Sequence, residues 1–382
     1  MESIYLDWAA SSWPKPAGVA QAMMSFLEAN GANPGRGSHR QALDAARALY
    51  ECRAELAELF HVARPTDIAL LSSTTEALNL ALKGLLKPGD HVITTELEHN
   101  AVRRPLEWLR EKQGIEITYV PASREGKLDL KAAQAAFRPN TALFVCSHAS
   151  NLLGSVNPLE DIAELSRKRG AKLLVDAAQT AGSFEIDVEA MGIDMLAFPG
   201  HKGLLGPQGT GGLYVSPDLE LEPLMQGGTG GNSEDIRQPM VRPERYEAGT
   251  RNTLGAVGLR EGVRFVMKET QSAIRERERD LIDRLYAGLS TMSGIRCLGP
   301  ARGEVRASLL SFVLEGEDPA ITAYRLDREY GIAVRAGYHC SPLGHHTAGT
   351  EATGAVRVSV GYATTPEQID ELLSALRRMH QR

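Results

Sequence analysis

The feature that most constrains the fold is the alternation of short apolar segments with longer amphipathic ones between residues 68 and 215. Helix patterns with apolar residues on one face separate the apolar segments. Strands that alternate with helices predict right-handed crossovers and a mostly parallel sheet covered on both faces. We therefore expect an α/β protein. The strand candidates are residues 68–73, 91–97, 115–122, 141–147, 172–179, 194–200 and 210–216.

The pattern changes at about residue 256. A single long charged helix is predicted over residues 258–289, and strand candidates follow at 308–314 and 355–362. A chain of 382 residues is long enough for two domains. We predict a large domain of residues 15–255. A smaller C-terminal α/β domain of residues 256–382 is expected to include residues 1–14 as well.

Composition excludes several classes of protein. The net charge is −6 with scattered Lys and Arg, which does not suit nucleic-acid binding. No segment approaches the ~20 apolar residues of a membrane span, and the first residues lack a signal-peptide pattern. The cysteines are far apart and form no disulfide framework. We expect a cytoplasmic protein with reduced thiols, namely Cys52, Cys146, Cys297 and Cys340.

Polar residues directly after apolar strands are the functional candidates, because ligands of open α/β sheets bind beyond the carboxyl ends of the strands. Thr74 and Thr75 lie where a strand meets a helix, a place that suits a phosphate. The same segment also reads as a helix cap, with Ser73 or Thr74 capping and Glu76 completing a capping box. The two roles are compatible. Asn151 follows another strand, either as a turn residue or as an amide for a ligand.

Asp176 and Lys202 also follow buried strands. Asp176 could cap a turn or pair with an arginine, or it could keep a pyridine nitrogen protonated. Lys202 could be solvated, or burial could lower its pKa and make its amine nucleophilic. A lysine, a carboxylate, a phosphate cradle and an amide at strand ends together predict a pyridoxal phosphate site. A nicotinamide dehydrogenase is disfavoured because residues 72–79 lack the G-x-G-x-x-G pattern.

The order of motifs resembles the cysteine desulfurases of the class V aminotransferase family, in their SufS-like and selenocysteine lyase branch. The resemblance covers essentially the whole chain. It implies the fold of type I pyridoxal phosphate enzymes, with a mostly parallel seven-stranded sheet in the large domain. The motifs are YLDWAA, NPGRGSH, STTEALN, ELEHNAV, SNLLGSVNP, VDAAQTAG, GHKGLLGPQG, EAGTRNT and RAGYHC.

The resemblance also implies roles for single residues. Lys202 would bind the cofactor covalently, Asp176 would pair with its ring nitrogen, and His99 would stack on the ring. Gln179 and Asn151 would lie at its phenolic oxygen. The phosphate would be held by Thr74, Thr75 and His201 and, from the partner subunit of a homodimer, by Thr250. The residues expected at the substrate are Arg357, which would bind its carboxylate, and Asn151, Asn33 and His39.

The expected reaction converts L-cysteine to L-alanine. Lys202 would remove the Cα proton, with His99 as general acid–base. The Cys340 thiolate would take the substrate sulfur as a persulfide and pass it to an acceptor protein. We expect His339 or Arg335 to lower the pKa of Cys340.

Alternatives remain open at this point. A selenocysteine lyase would use the same fold, and a C–S lyase or an aminotransferase would leave Cys340 without a role. A metal-binding scaffold is disfavoured because His339–Cys340 and His345–His346 lack the spacing of zinc ligands, so no metal is predicted. His345 and His346 are expected to be peripheral. Pro199 departs from the family pattern, which has Ser or Thr as a phosphate donor there.

Overall fold

The computed structural model describes residues 3–35, 37–231 and 234–380 of the chain. The helices of these ranges are α1 (Ala17–Ala29), α2 (Arg40–Leu59), α3 (Thr74–Leu85), α4 (Asn100–Gln113), α5 (Leu130–Ala135), α6 (Leu159–Arg169), α7 (Thr253–Glu269), α8 (Gln271–Leu289), α9 (Pro319–Tyr330), α10 (Pro342–Ala348) and α11 (Pro366–His380). The strands are β1 (Ile4–Tyr5), β2 (Ile68–Leu71), β3 (His91–Thr95), β4 (Glu116–Val120), β5 (Thr141–Ser147), β6 (Lys172–Asp176), β7 (Met195–Pro199), β8 (Gly211–Val215), β9 (Ile295–Cys297), β10 (Leu309–Leu314), β11 (Ile332–Ala333), β12 (Arg335–Gly337) and β13 (Ala355–Ser359). Within them, no helix is both long and apolar enough to cross a bilayer.

The large sheet has seven strands in the order β2-β8-β7-β6-β5-β3-β4. All neighbouring pairs are parallel except those of β8, which runs antiparallel to β7 and β2. The connection from β7 to β8, residues 200–210, is too short for the helical crossover that parallel neighbours require. This connection carries Lys202. The predicted α/β architecture with a mostly parallel seven-stranded sheet is confirmed.

Helices cover both faces of this sheet, as its almost wholly buried strands require. On one face, α3 and α4 bury apolar side chains such as Leu78 and Leu106. On the other face, α2, α6 and α7 bury side chains that include Leu56, Ile162 and Leu259. Because both faces are covered, polar groups can gather only at the strand ends.

A smaller unit holds a four-stranded antiparallel sheet in the order β12-β13-β10-β9, with α8, α9 and α11 around it. Near the N-terminus, β1 pairs in parallel with β11, and Ile4 and Leu6 join the small unit's apolar core. Helix α7 packs on α1 and α2. The predicted division into residues 15–255 and 256–382 stays a prediction.

The prediction of one helix over residues 258–289 is wrong, because the chain turns at Thr270. Its φ of 65° ends α7. The Thr270 hydroxyl then accepts a hydrogen bond from the Ala273 N–H at 3.2 Å and caps α8. The sequence pattern does not reveal this turn, because α7 and α8 each have the amphipathic pattern of a helix and no typical helix breaker lies between them.

Candidate active site

The carboxyl ends of the parallel strands and the N-termini of α3 and α4 surround a cavity of about 110 Å³. The structure thus brings together eight of the nine residues predicted to bind the cofactor. They are Thr74, Thr75, His99, Asn151, Asp176, Gln179, His201 and Lys202.

Lys202 and Asp176 are the charged pair of this cavity. Asp176 ends β6, is buried, and accepts one hydrogen bond, from the Ala178 N–H at 2.9 Å. Burial raises the pKa of Asp176, and the Ala178 N–H and the charge of Lys202 oppose that effect. Burial lowers the pKa of Lys202 to about 8, opposed by Asp176. A near-neutral pKa gives Lys202 a population of free amine, the nucleophilic form.

The start of α3 serves both as a cap and as a potential anion site. The Ser73 hydroxyl accepts from the Glu76 N–H at 3.2 Å, and the Glu76 carboxylate accepts from the Ser72 N–H at 2.7 Å. Ser73 is therefore the capping residue. The Thr74 hydroxyl is buried and has no hydrogen-bond partner in the described part of the chain. A buried unpaired hydroxyl at a helix N-terminus suits a phosphate oxygen.

His99 is held in one orientation and one protonation state. Its Nδ1 accepts a hydrogen bond from the Ala101 N–H at 2.9 Å and caps α4. Burial, and then the charges of Lys202 and Arg335, lower the pKa of His99 to about 4. The ring is neutral at pH 7 and carries its proton on Nε2, so it offers a cavity ligand a flat face and one N–H donor.

The N-terminal segment holds the peptide bond that precedes Lys202, a contact that the sequence analysis missed. The His201 carbonyl accepts from the Ser12 N–H at 3.0 Å and from the Ser12 hydroxyl at 2.9 Å. The Lys15 ammonium donates to the same carbonyl at 2.9 Å. Burial lowers the pKa of His201 to about 4, so its ring is neutral too. The segment thus sets the position of Lys202 from outside the large sheet.

Arg357 lies next to the cavity on β13. It donates to the Asn151 carbonyl and to the Asp7 carboxylate, both at 3.0 Å. Its Nε is buried and has no partner in the described ranges. A planar guanidinium with an unused N–H suits a carboxylate ligand. Asp7 lies in the YLDWAA motif, but only the tertiary structure reveals what it contacts.

Asn151 connects the cavity to Cys340. Its Nδ2 donates to the His339 carbonyl at 2.5 Å, and its buried Oδ1 has no partner in the described ranges. Cys340 is exposed, and its carbonyl accepts from the Asn100 N–H at 2.8 Å. His339 and Cys340 both have positive φ, 48° and 59°, a strained conformation typical of functional sites.

For His339 and His345, two residues near Cys340, the structure differs from the expectation, whereas the alternative role of Arg335 stays a prediction. His339 is buried, its Nε2 donates to the Ala355 carbonyl, and burial lowers its pKa to about 3. It is therefore neutral and supplies no positive charge to the thiol. His345, in the short helix α10, is fully buried rather than peripheral. Its ring stacks on the His339 ring, with 6.0 Å between the two ring centroids.

Besides Arg357 and Cys340, three further predicted residues do not line the Lys202 cavity. Asn33, His39 and Thr250 line a separate, open cavity. His39 caps α2 through its Nδ1, which accepts from the Ala42 N–H at 3.3 Å. Their predicted roles at the substrate and at the partner subunit's phosphate stay predictions.

The residues of the cavity fit pyridoxal phosphate. Unpaired buried oxygens of Thr74 and Asn151 and the carboxylate of Asp176 surround an amine of near-neutral pKa. Pro199, at the cavity wall, offers neither hydroxyl nor N–H, so other residues must donate to the phosphate. Across the described residues, no group of three or more His, Cys, Asp or Glu side chains could hold a metal ion.

Comparisons with known proteins agree with this geometry. The chain is 37% identical over 380 residues to a probable cysteine desulfurase of Methanothermobacter thermautotrophicus, covering 97% of this chain and 93% of that protein. It is 33% identical to a cysteine desulfurase of Yersinia pestis, covering 98% and 93%. The apo structure of a cysteine desulfurase from Thermococcus onnurineus NA1 superposes with a TM-score of 0.93 at 33% identity, covering 99% and 94%. The aminotransferase class-V family model matches residues 4–372, and the chain belongs to this family.

Proposed function

We propose that the protein is a pyridoxal phosphate-dependent cysteine desulfurase, which converts L-cysteine to L-alanine and retains the sulfur as a persulfide on Cys340. The observation that carries this proposal is the position of Asn151. It lines the cavity of Lys202 and Asp176 and holds the backbone next to an exposed cysteine. An aminotransferase or a simple C–S lyase would give that cysteine no role.

The cofactor would be held by the cavity residues. Lys202 would bind it covalently, Asp176 would pair with the ring nitrogen, and Thr74, Thr75 and His201 would donate to the phosphate. Gln179 and Asn151 would contact the phenolic oxygen, and His99 would stack on the ring. When bound, pyridoxal phosphate supplies an electron sink for the bonds at the substrate's Cα.

This chain's own groups would then bind the substrate and move its protons. Arg357 binds the carboxylate of cysteine with its guanidinium, whose Nε–H has no partner in the described ranges. Lys202, as a free amine, takes the Cα proton and returns a proton to the product carbon. His99 acts as the general acid–base group and donates the proton on its Nε2. Asn33 and His39 stay candidates for further substrate contacts.

Cys340 completes the reaction. Its thiolate attacks the substrate sulfur, so that an S–S bond forms and the C–S bond breaks. The carbon keeps the electron pair of the broken bond and takes a proton, which yields alanine. L-cysteine and the Cys340 thiol thus become L-alanine and the Cys340 persulfide, with atoms and electrons balanced. The exposed position of Cys340 suits onward transfer of the sulfur to an acceptor protein.

A homodimer is part of this proposal, with Thr250 reaching the phosphate of the partner subunit. Large apolar side chains that are about half exposed support it, because such surfaces mark interfaces. They lie on α1 and α2 and are Met24, Leu27, Leu43 and Tyr50. We further propose a cytoplasmic location, which the four unpaired thiols support.

The test is a product assay on purified protein loaded with pyridoxal phosphate. Wild type should form alanine from L-cysteine, and mass spectrometry should place one extra sulfur on the Cys340 peptide. Cys340→Ser should keep the visible absorbance of the bound cofactor and lose alanine formation, whereas Lys202→Ala should lose both. The control is Cys297→Ser, which removes a partly buried thiol that does not line the cofactor cavity. This variant should behave as wild type. Undiminished alanine formation by Cys340→Ser would overturn the proposal.

A further inference from the structure

A second cavity, of about 40 Å³, adjoins the cofactor cavity. Lys202, Gln179 and Ala178 line both cavities and therefore form the wall between them. One water molecule needs roughly 10–15 Å³ of such volume and two to four polar partners. This cavity is larger than that, and the polar residues Ser183, Ser308 and Lys202 are among those that line it. It can hold water in contact with Lys202.

A buried carboxyl lies in the same cavity. Glu278 extends from α8 and is 7% exposed. It accepts a hydrogen bond from the Ser308 hydroxyl, and no cation pairs with it in the described part of the chain. A carboxylate is costly to bury without a cation, so burial here favours the protonated form of Glu278.

Burial, rather than a neighbouring charge, places the proton exchange of Glu278 near neutral pH. Burial raises the pKa of Glu278 to about 7, against a smaller opposing effect of Ser308. The other titratable groups that line the cavity are Lys202, whose pKa is about 8, and Tyr362, whose pKa is raised by burial. Arg277, on the same helix, donates to the Tyr362 carbonyl at 3.0 Å from outside the cavity. Glu278 and Lys202 thus line one cavity and both change protonation close to neutral pH.

We propose that Glu278 exchanges protons with Lys202 through water in the second cavity and serves as a proton reservoir for that lysine. The proposal rests on the proposed function, in which Lys202 takes a proton from the substrate and returns one to the product. After Lys202 has taken a proton, the lysine is an ammonium and must lose that proton to become an amine again. The proton then passes to the Glu278 carboxylate. The carboxyl group returns a proton later in the same turnover, so no proton is consumed overall.

Kinetics provide the first test. Glu278→Gln keeps the shape of the side chain and its hydrogen bond to Ser308 but cannot transfer a proton. We expect about tenfold lower kcat, which is less than the roughly 10²–10⁴-fold contribution of a group that exchanges protons with the substrate itself, because Glu278 acts through Lys202. The KM for cysteine and the cofactor absorbance should be unchanged. The limb of the kcat–pH profile near pH 7 should disappear. Glu276→Gln on the same helix is the matched control, since Glu276 is exposed, and it should behave as wild type.

Infrared spectroscopy of the protein without cofactor provides the second test, independent of turnover. A protonated carboxyl band should titrate near pH 7 in wild type and in Glu276→Gln and be lost in Glu278→Gln. The pH midpoint of this band should move in Lys202→Ala, because the proposal places both groups in contact with water in one cavity. A midpoint that ignores Lys202→Ala, or a kcat–pH profile unchanged in Glu278→Gln, would overturn the inference. Failure of wild type to form alanine would instead overturn the proposed function, and the infrared titration would still decide on the proton exchange.

Discussion

Single side chains in the site owe their chemistry to burial. Lys202, Asp176 and His99 each have a pKa displaced by burial, and each lies where two or more elements meet. Their residue types and strand-end positions are visible in the sequence. The direction of each pKa change depends on desolvation and on charges from distant segments, which only the packed chain brings together.

Asp7 offers a test of how Arg357 is positioned. Asp7→Asn removes the carboxylate that pairs with the guanidinium at 3.0 Å. Because a hydrogen bond to a charged group is worth about 1.5–3 kcal/mol, we expect about a tenfold higher KM for cysteine. The visible cofactor absorbance should stay unchanged. Steady-state kinetics measure the effect, with the exposed Asp280→Asn as control. A lower KM would show instead that Asp7 competes with the substrate carboxylate.

Glu278 also makes a prediction about stability. Its pKa is about 7 in the folded protein and 4.5 in its ordinary state. Between pH 4.5 and about pH 7, Glu278 keeps its proton in the folded protein but has lost it in the unfolded chain. The free energy of unfolding therefore falls as pH rises through this window, by on the order of 3 kcal/mol in total.

Glu278→Gln lacks this dependence, so its stability relative to wild type should increase from pH 5 to pH 8. Thermal unfolding of both proteins across this range measures the difference. Glu276→Gln should follow wild type at every pH. A constant difference between Glu278→Gln and wild type would show that Glu278 does not titrate in this range.

The helices and strands show where local patterns suffice. The apolar alternation predicts each strand of the large sheet to within a few residues, because strands buried on both faces must be apolar throughout. The turn between α7 and α8 was missed because Thr270 is not a typical helix breaker. Helix α7 packs in the core of the large sheet, whereas most of the buried residues of α8 pack in the core of the small unit, so the chain turns between them.

Two substitutions at Thr270 distinguish the stabilisation by its hydroxyl cap from the strain of its positive φ. Thr270→Ala removes the cap and keeps the strain, so it should lower the free energy of unfolding by about 1 kcal/mol. Thr270→Gly should cost no more than a few tenths of a kcal/mol, because glycine adopts a φ of 65° without strain. Urea unfolding measures both variants. Equal losses in the two would mean that the φ at this position stores no strain.

At the scale of the whole molecule, two features stand out, namely the N-terminal segment and an exposed apolar surface. The segment pairs β1 with the small unit, places Asp7 on Arg357 and then holds the carbonyl before Lys202. It thereby joins the two units at the site. The apolar surface of α1 and α2 is the expected subunit interface of the proposed homodimer.

Leu43 tests that interface. It is 54% exposed on α2, and Leu43→Lys should shift a dimer toward the monomer in sedimentation velocity. Cofactor affinity should fall with it, because Thr250 of the partner subunit would no longer reach the phosphate. Ile321→Lys on α9, 53% exposed, is the matched control and should stay dimeric. A monomeric wild type would contradict the homodimer.

The amino-acid sequence by itself determined the α/β architecture, the strand-end positions of Lys202 and Asp176, and the resemblance from which we propose Cys340 as the reactive thiol. Periodicity and local motif order carry this information, because they reflect neighbours along the chain. Only the tertiary structure decided that Asp7 pairs with Arg357, that Ser12 and Lys15 hold the His201 carbonyl, and that Glu278 shares a cavity with Lys202. These contacts join residues up to 350 positions apart. Their energies depend on burial and distance, which exist only once the chain has folded.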